Sequence, residues 1–196
     1  MLRVGPDGRL RCGWALGAPE YLDYHDHEWG RPVTSVSGLY ERLSLEAFQS
    51  GLAWITILRK REGFRAAFAG FQPDRVARFG PADVERLMND PGIVRNRAKI
   101  EATIANARVV ESLGEDFAQL ILAHGDRDRP RPTGDGAVRA TAPESVAMAT
   151  ALKASGIRFV GPTTAYALMQ AVGLVDDHLE GCFVPPRGGT KQPQAG

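Results

Sequence analysis

Glu46 is the residue of this sequence whose chemistry fits its position least well. On a helical wheel of about 100° per residue, Glu46 falls on the same face as the apolar residues Leu39 and Leu43, while Arg42 points away. A carboxylate on a core-facing stripe is costly to bury unless something compensates its charge. The pattern therefore raises the question of what compensates Glu46.

Aromatic residues are concentrated in the same part of the chain. All three tryptophans and several tyrosines lie within the first 54 residues, namely Trp14, Trp29, Trp54, Tyr21, Tyr24 and Tyr40. An ordinary aromatic core explains such a group. The functional alternative is a box of rings that stacks a planar ligand. Next to Glu46, such a box would favour a ring that carries positive charge.

Two cysteines and two histidines form a second group of reactive side chains. Cys12 precedes His25 by thirteen positions, and His178 precedes Cys182 by four, which places the latter pair on one face of a helix or turn. Two thiolates and two imidazoles suit tetrahedral zinc, and four protein ligands would make the site closed and structural. The alternative is a pair of unremarkable buried thiols, since a disulfide is disfavoured in the cytosol.

His27 and Glu28 suggest a competing metal site of the HxHE type, which would be hydrolytic. Such a site needs an open coordination position and further acidic ligands. The sequence gives no sign of an open coordination position at these residues, which disfavours this interpretation.

The stretch GIRFVGPTTA, residues 156–165, predicts a tight turn followed by a helix that begins at Pro162. Backbone N–H groups freed by such a turn, together with the helix N-terminus, can bind a DNA phosphate without a basic side chain. A plain helix–helix connection is equally consistent with this stretch.

Composition limits the broad class of protein. The 196 residues are 43% hydrophobic and 24% charged with a net charge of +1, which fits one globular domain or two small lobes. No apolar run reaches the roughly 18 residues that span a bilayer, and the start of the chain has no signal-peptide pattern. We therefore expect a cytoplasmic protein without a membrane partner.

Hydrophobic periodicity predicts an all-α fold without a sheet. Residues 124–143 are dense in Gly, Pro and charge and predict a long loop, and residues 185–196 predict a disordered tail. The predicted helices cover approximately residues 19–29, 37–50, 52–59, 62–69, 81–88, 96–113, 115–123, 143–154 and 162–172.

Four stretches together resemble the DNA-3-methyladenine glycosylase I family. They are RCGW (11–14), YHDHEWG (24–30), LEAFQSGLAWITILRKREGFRAAF (45–68) and FVGPTTAYALMQAVGLVDDHLEGC (159–182). The resemblance runs from about Arg11 to Cys182 and lapses over 114–143, in the first ten residues and in the tail. It implies a two-lobed helix–hairpin–helix glycosylase fold over residues 1–184, with a DNA groove between the lobes.

The resemblance also implies roles for individual residues. It assigns one structural zinc ion to Cys12, His25, His178 and Cys182. It places the lesion pocket at Glu46, Tyr24 and Trp54, with Trp14, Tyr21 and Trp29 as neighbours. The turn that contains Gly156, Gly161 and Thr163 becomes the hairpin that grips DNA.

The implied activity is excision of 3-methyladenine by a monomer acting on double-stranded DNA with alkylated bases. The base must be flipped out of the duplex, and we expect Leu52 to fill the gap that it leaves. Glu46 would accept a hydrogen bond from the exocyclic amino group of the cationic base. Thr163 stands where strand-cleaving relatives carry a lysine, which predicts a monofunctional enzyme.

Two questions stay open at this stage. Asp176 lies in a V-D-x-H stretch and would either stabilise the sugar cation or cap a turn beside His178, of which we favour the cap. The main alternative function is a zinc-stapled helical module that binds DNA without chemistry. Glu46 argues against that alternative, because a binding surface does not need a buried carboxylate.

Overall fold

A computed structural model describes residues 1–126 and 128–186, and this part of the chain is mostly helical, as predicted. Short 3-10 helices cover Gly13–Gly17, Ala69–Phe71 and Asp135–Ala137. The α-helices are α1 Pro19–His27, α2 Val36–Gln49, α3 Trp54–Ala67, α4 Pro73–Val76, α5 Pro81–Met88, α6 Arg97–Leu113, α7 Glu115–Leu122, α8 Pro143–Ala154 and α9 Pro162–Ala171.

Local sequence signals explain where several helices begin. The Ser35 hydroxyl accepts a hydrogen bond from the N–H of Gly38 at the start of α2. The Asn96 side chain does the same for the N–H of Lys99 at the start of α6. Proline occupies the first position of α5 and α9, where its missing N–H removes a donor that has no helical partner.

The prediction of two helices at 52–59 and 62–69 was wrong, because α3 is one continuous helix. Gly63 lies within it and contacts the loop before α6, where a Cβ on Gly63 would stand only 2.4 Å from the carbonyl oxygen of Gly92. The glycine therefore permits a close approach of two backbones. The four-residue helix α4 was not predicted.

The prediction of no sheet was also wrong. Strands β1 Leu2–Val4 and β2 Leu10–Cys12 pair antiparallel, with Leu2 opposite Cys12 and Val4 opposite Leu10. Strands of three residues are too short to show the period-two alternation on which strand prediction depends. The turn signal was nevertheless present in GPDG at residues 5–8, where Gly8 has a φ of 77°.

Two apolar clusters stabilise the fold. The main core is formed largely by α2, α6, α8 and α9, and the buried Tyr40 donates its hydroxyl hydrogen to the carbonyl oxygen of Thr103 at 2.8 Å. A small second cluster contains Cys12, Leu179, Cys182 and Val184. In it the two end segments of the chain meet, and the N–H of Phe183 donates to the carbonyl oxygen of Leu10 at 2.8 Å.

The stretch 124–143 is mostly irregular where the structure describes it, in agreement with the predicted loop. Arg127 and, from residue 187 onward, the predicted disordered tail lie outside the described residues.

Over residues 1–126 and 128–186, no helix combines the length and the apolar character needed to cross a bilayer.

Candidate active site and metal-binding cluster

Glu46 lies on the core-facing side of α2, as the helical wheel predicted, and only 6% of its surface is exposed. Burial raises the pKa of its carboxyl group to about 8, although the positive charge of Arg42 opposes the shift. Because burial disfavours the ionised form, the free protein holds Glu46 largely protonated at neutral pH.

The Glu46 carboxyl group lacks a hydrogen-bond donor among residues 1–126 and 128–186. The nearby Arg42 places Nη2 3.0 Å from Glu28 Oε2, while its buried Nη1 has no partner among the described residues. Arg61 binds the same carboxylate at 2.6 Å. Glu46 is therefore a buried acid that the protein itself does not compensate, as expected for a group that binds a ligand.

A cavity of about 190 Å³ opens beside this carboxyl group. It is smaller than the roughly 300 Å³ at which pockets for drug-sized ligands begin, and it suits a flat molecule of one or two rings. The residues that line it are Trp14, Tyr24, Trp29, Glu46, Gln49, Trp54, Ala167 and Gln170. The structure thus brings four of the five predicted aromatic residues together with Glu46.

The aromatic rings supply most of the cavity wall. Tyr24 and Trp54 are tilted by 46° with their centroids 5.5 Å apart, and Trp14 stands edge-on to Trp29 at 5.1 Å. Burial and the neighbouring Glu46 raise the pKa of the Tyr24 hydroxyl, which keeps it a hydrogen-bond donor. The buried indole N–H of Trp54 has no partner among the described residues, so it too is available to a ligand.

Tyr21 is not brought into the cavity. Its hydroxyl accepts a hydrogen bond from the N–H of Ile55 at 2.9 Å, which satisfies a donor in the first turn of α3. Its ring packs edge-on against Trp14 at 5.7 Å. Tyr21 therefore supports the cavity from behind.

The four predicted metal ligands converge in the small core cluster. The Sγ atoms of Cys12 and Cys182, Nε2 of His25 and Nδ1 of His178 all lie within 4.8 Å of one another. His25 Nε2 is 3.3 Å from His178 Nδ1 and 3.5 Å from Cys182 Sγ. A tetrahedron with the usual zinc–nitrogen and zinc–sulfur bond lengths has edges of about 3.3–3.8 Å, so these four residues could hold one metal ion.

The outer ring nitrogens of both histidines are occupied in the way that a metal site requires. His25 Nδ1 lies 2.8 Å from Asp26 Oδ1, and His178 Nε2 lies 3.2 Å from the carbonyl oxygen of Trp29. Both partners are acceptors, so the proton of each ring sits on its outer nitrogen and the inner nitrogen presents a lone pair. Arg11 in turn binds Asp26 at 2.8 Å and holds it in place.

The competing HxHE site does not form. His27 is 71% exposed and pairs with Asp23, while Glu28 is bound by two arginines. Neither side chain belongs to the cluster of metal-ligand atoms. The hydrolytic interpretation therefore lacks its metal site.

The metal-binding cluster and the cavity share parts. Tyr24 and His25 are consecutive on α1, one facing each site. Trp29 lines the cavity and also stands 4.7 Å from the His178 ring, and Trp14 lies 5.2 Å from the His25 ring. Loss of the cluster would therefore disturb two walls of the cavity.

The predicted DNA-binding residues do not line the cavity beside Glu46. The turn between α8 and α9 is held by Asn106, which accepts from the N–H of Arg158 at 2.8 Å and donates to its carbonyl oxygen at 3.1 Å. Gly156 adopts a φ of 97°, and Thr163 is exposed in the first turn of α9. A groove beside this turn is lined by Ser50, Lys153, Phe159, Val160, Gly161 and Thr164.

Leu52 lies on the bend that follows α2 and is 41% exposed. The bend is anchored by the buried Lys99, whose ammonium group donates to the carbonyl oxygens of Phe48 at 2.9 Å and Ser50 at 2.7 Å. Ser50 also lines the groove next to Gly161. Leu52 and the turn before α9 are thus presented on the same side of the molecule.

Asp176 has the geometry of a cap. Its Oδ1 accepts from the N–H of His178 at 3.3 Å, and its Oδ2 binds Arg131 at 2.9 Å. It does not line the cavity beside Glu46. The helical wheel directs Gln49 away from the face of Glu46, yet Gln49 lines the cavity. Gln170 was not predicted, because an uncharged polar residue on a helix gives no signal unless its neighbours in space are known.

Comparisons with known proteins agree with this geometry. The sequence model of the methyladenine glycosylase family matches residues 14–185. The DNA-3-methyladenine glycosylase 1 of Escherichia coli is 44% identical over 181 residues, which is 90% of this chain and 97% of that protein. The Haemophilus influenzae DNA-3-methyladenine glycosylase is 40% identical and covers 88% of this chain and 96% of its own length.

A solved structure shares the fold. The 3-methyladenine DNA glycosylase I of Staphylococcus aureus, whose structure concerns recognition of 3-methyladenine, superposes with a TM-score of 0.85 at 32% identity. The match covers 91% of this chain and 98% of that one. The chain belongs to the methyladenine glycosylase family, and the resemblance seen in the sequence is confirmed.

Proposed function

We propose that this protein is a DNA repair glycosylase that removes 3-methyladenine by hydrolysing the bond between base and sugar. The observation that carries the proposal is the buried, uncompensated carboxyl group of Glu46 at the wall of an aromatic cavity. The names of the relatives in the same family support it.

The cavity suits a base that is already a good leaving group. Methylation at N3 makes adenine cationic and weakens its bond to the sugar, so the base departs neutral without a strong general acid. Glu46 accepts a hydrogen bond from the exocyclic amino group and complements the positive ring, while Tyr24 and Trp54 contribute a donor and a stacking face. Neutral adenine lacks this electrostatic term, which is worth a few kcal/mol in a site without water.

DNA engagement follows from the exposed turn and the bend of Leu52. We assign the segment from α8 to α9 as a helix–hairpin–helix motif whose backbone N–H groups bind phosphate, with Gly156, Gly161 and Thr163 in the turn. Leu52 occupies the gap in the double-stranded DNA after the base is extruded. With threonine at 163, the enzyme lacks the amine that would attack the sugar and leaves an abasic site.

Zinc is the ion that best fits the four convergent ligands, since two thiolates and two imidazoles in tetrahedral arrangement are typical of structural zinc. All four positions are protein ligands, so the ion stabilises the fold and does not act on substrate. One zinc ion clasps the segment around Cys12 and His25 to the segment around His178 and Cys182.

The proposal extends to the organisation of the protein. Residues 1–184 form the glycosylase domain, in which both end segments make one lobe and the central helices make the other. The protein acts as a monomer in the cytoplasm.

Incubation with methylated double-stranded DNA, followed by chromatography of the released bases, tests the activity. We expect free 3-methyladenine from the native protein and about a hundredfold slower release from Glu46→Gln, which keeps the shape but not the charge. Glu62→Gln is the matched control, because Glu62 is 80% exposed on α3 and its loss should leave release unchanged.

The same assay decides between the two functions considered. A zinc-stapled helical module that only binds DNA would retain the DNA and release no base. That result with correctly folded, metal-loaded protein would contradict the proposed function.

A further inference from the structure

Gln170 lines the cavity beside Glu46, and its side-chain amide is already oriented by the protein. The amide nitrogen Nε2 donates to Asp177 Oδ2 at 2.7 Å. The carboxylate oxygen is the acceptor in this contact, so it holds the amide nitrogen on its own side. The group that Gln170 has left for the cavity is its carbonyl oxygen, Oε1.

Asp177 is itself held firmly in place. Only 3% of its surface is exposed, and the Tyr166 hydroxyl donates to Oδ2 at 2.7 Å. The guanidinium group of Arg129 forms an ion pair with Oδ1. A buried carboxylate that contacts three donors is fixed in position, because turning it would leave those donors without their acceptor. The orientation of Gln170 is therefore a built feature of the cavity.

We propose that Gln170 determines specificity by presenting Oε1 as a second acceptor, besides Glu46, for the exocyclic amino group of the extruded base. Asp177 acts through Gln170 as a positioning residue. This inference rests on the proposed function and deepens it, since it states which purines the cavity accepts.

The chemical reason is that a free glutamine recognises either type of purine. Its amide can present the oxygen to a 6-amino group or rotate and present the nitrogen to a 6-oxo group. With the nitrogen held by Asp177, rotation is blocked, and a 6-oxo purine would place its oxygen against an acceptor. The cavity therefore selects 3-methyladenine over 3-methylguanine, as sites with fixed polar groups reject ligands that leave those groups unpaired.

The test measures the release of both bases from DNA methylated at N3 of adenine and of guanine. Gln170→Met keeps the length of the side chain but removes the acceptor, and we expect release of 3-methyladenine to fall about tenfold without a fall for 3-methylguanine. Gln170→Glu should keep the preference for 3-methyladenine, because its carboxyl group still directs an acceptor oxygen to the cavity. Gln119→Met on the exposed face of α7 is the matched control.

Asp177→Asn tests the positioning role separately. An asparagine can offer its own amide nitrogen to Gln170, which frees the glutamine to rotate, so 3-methylguanine release should rise relative to 3-methyladenine. Thermal unfolding shows whether the variant folds despite the unpaired Arg129. If it does not, the two Gln170 variants decide the question by themselves.

The possible results separate this inference from the proposed function. Native protein that releases 3-methyladenine, together with a Gln170→Met variant of unchanged base preference, overturns the role of Gln170 alone. An equal fall for both bases in Gln170→Met also overturns it, because that is the result of a structural defect. Native protein that releases neither base overturns the proposed function and this inference with it.

Discussion

The metal-binding cluster and the cavity beside Glu46 are two buried polar regions that share helix α1, yet they differ in one respect. In the cluster, the outer ring nitrogen of each histidine has a hydrogen-bond acceptor, which is Asp26 for His25 and the carbonyl oxygen of Trp29 for His178. In the cavity, the carboxyl group of Glu46 is buried, and no hydrogen-bond donor among the described residues contacts it.

This difference teaches how to distinguish two roles of buried polar residues. A complete outer shell fixes ligand atoms at the separations that one ion requires, and the result is rigidity. An acid without a partner destabilises the free protein and gains from a ligand that brings the missing charge. The first arrangement is typical of a structural site and the second of a recognition site.

Removing one predicted metal ligand should have the largest effect on stability. This change tests the structural role of the cluster. We expect His25→Ala to lose the metal and to lower the free energy of unfolding by at least about 3 kcal/mol, because metal binding contributes directly to folding. Elemental analysis and thermal unfolding measure both changes. His27→Ala, two positions away and 71% exposed, should keep both properties, and equal behaviour of the two variants would contradict the assignment of the ligands.

The pH dependence of stability tests the recognition half. The pKa of Glu46 is raised from 4.5 to about 8 in the folded protein, so the folded state binds a proton more tightly than the unfolded state. The proton on Glu46 therefore stabilises the folded state. This contribution is complete below about pH 4.5 and is lost as the pH rises to about 8. At about 1.4 kcal/mol per pKa unit, the free energy of unfolding of the native protein should fall by roughly 4 kcal/mol across this range relative to that of Glu46→Gln.

Lesion affinity should change in the opposite direction over the same range. A permanently cationic base requires the ionised form of Glu46, so binding near neutral pH releases a proton and tightens up to tenfold per pH unit until about pH 8. Binding of DNA with a 3-methyladenine nucleotide, measured from pH 6 to 8, checks this slope. An affinity that does not depend on pH, or that depends on it equally in Glu46→Gln, would argue against a protonated Glu46.

A smaller effect should come from Leu52, which separates recognition of the base from extrusion of the nucleotide. Leu52→Ala should reduce excision from duplex DNA about tenfold while binding of the free base to the cavity stays unchanged, because only extrusion requires the wedge. Leu10→Ala is the matched control, since Leu10 is 43% exposed on β2. Unchanged excision by a folded Leu52→Ala variant would remove the wedge from the mechanism.

Asp176→Asn should have the smallest effect. Asparagine can still accept the hydrogen bond from the N–H of His178, and Asp176 does not line the cavity. We expect excision within about twofold of the native rate, with a small loss of stability from the weakened contact to Arg131. A much larger fall in excision at unchanged stability would instead assign Asp176 to the stabilisation of the sugar cation.

Much of this comparison could be predicted from the sequence. The candidate recognition site was indicated by one acidic residue on an apolar helical face, and the candidate metal site by four residues of the right type in two spaced pairs. The helices followed from hydrophobic periodicity, which is strongest over α5 and α7. Each of these signals depends on neighbours within the chain.

The parts that the sequence did not reveal depend on contacts between distant residues. Gln170 became informative only when Asp177 was found to hold its amide, and Tyr21 proved to support α3 instead of lining the cavity. The strands β1 and β2 pack against the segment that contains Leu179 and Phe183, which stabilises them. Their three residues each are too few to show a strand pattern in the sequence. Arg42 points toward Glu28, which a wheel of α2 alone cannot show.

The meeting of the two end segments has a topological consequence. Leu10 and Phe183 are joined by a backbone hydrogen bond, and Leu2 lies against Gly181, so the described chain nearly closes into a ring. Residues 135–141, by contrast, are exposed and largely irregular. A circular permutant that is joined near the present ends and opened in that stretch would keep α1 continuous, and with it the face toward the cysteine–histidine cluster and the face toward the cavity.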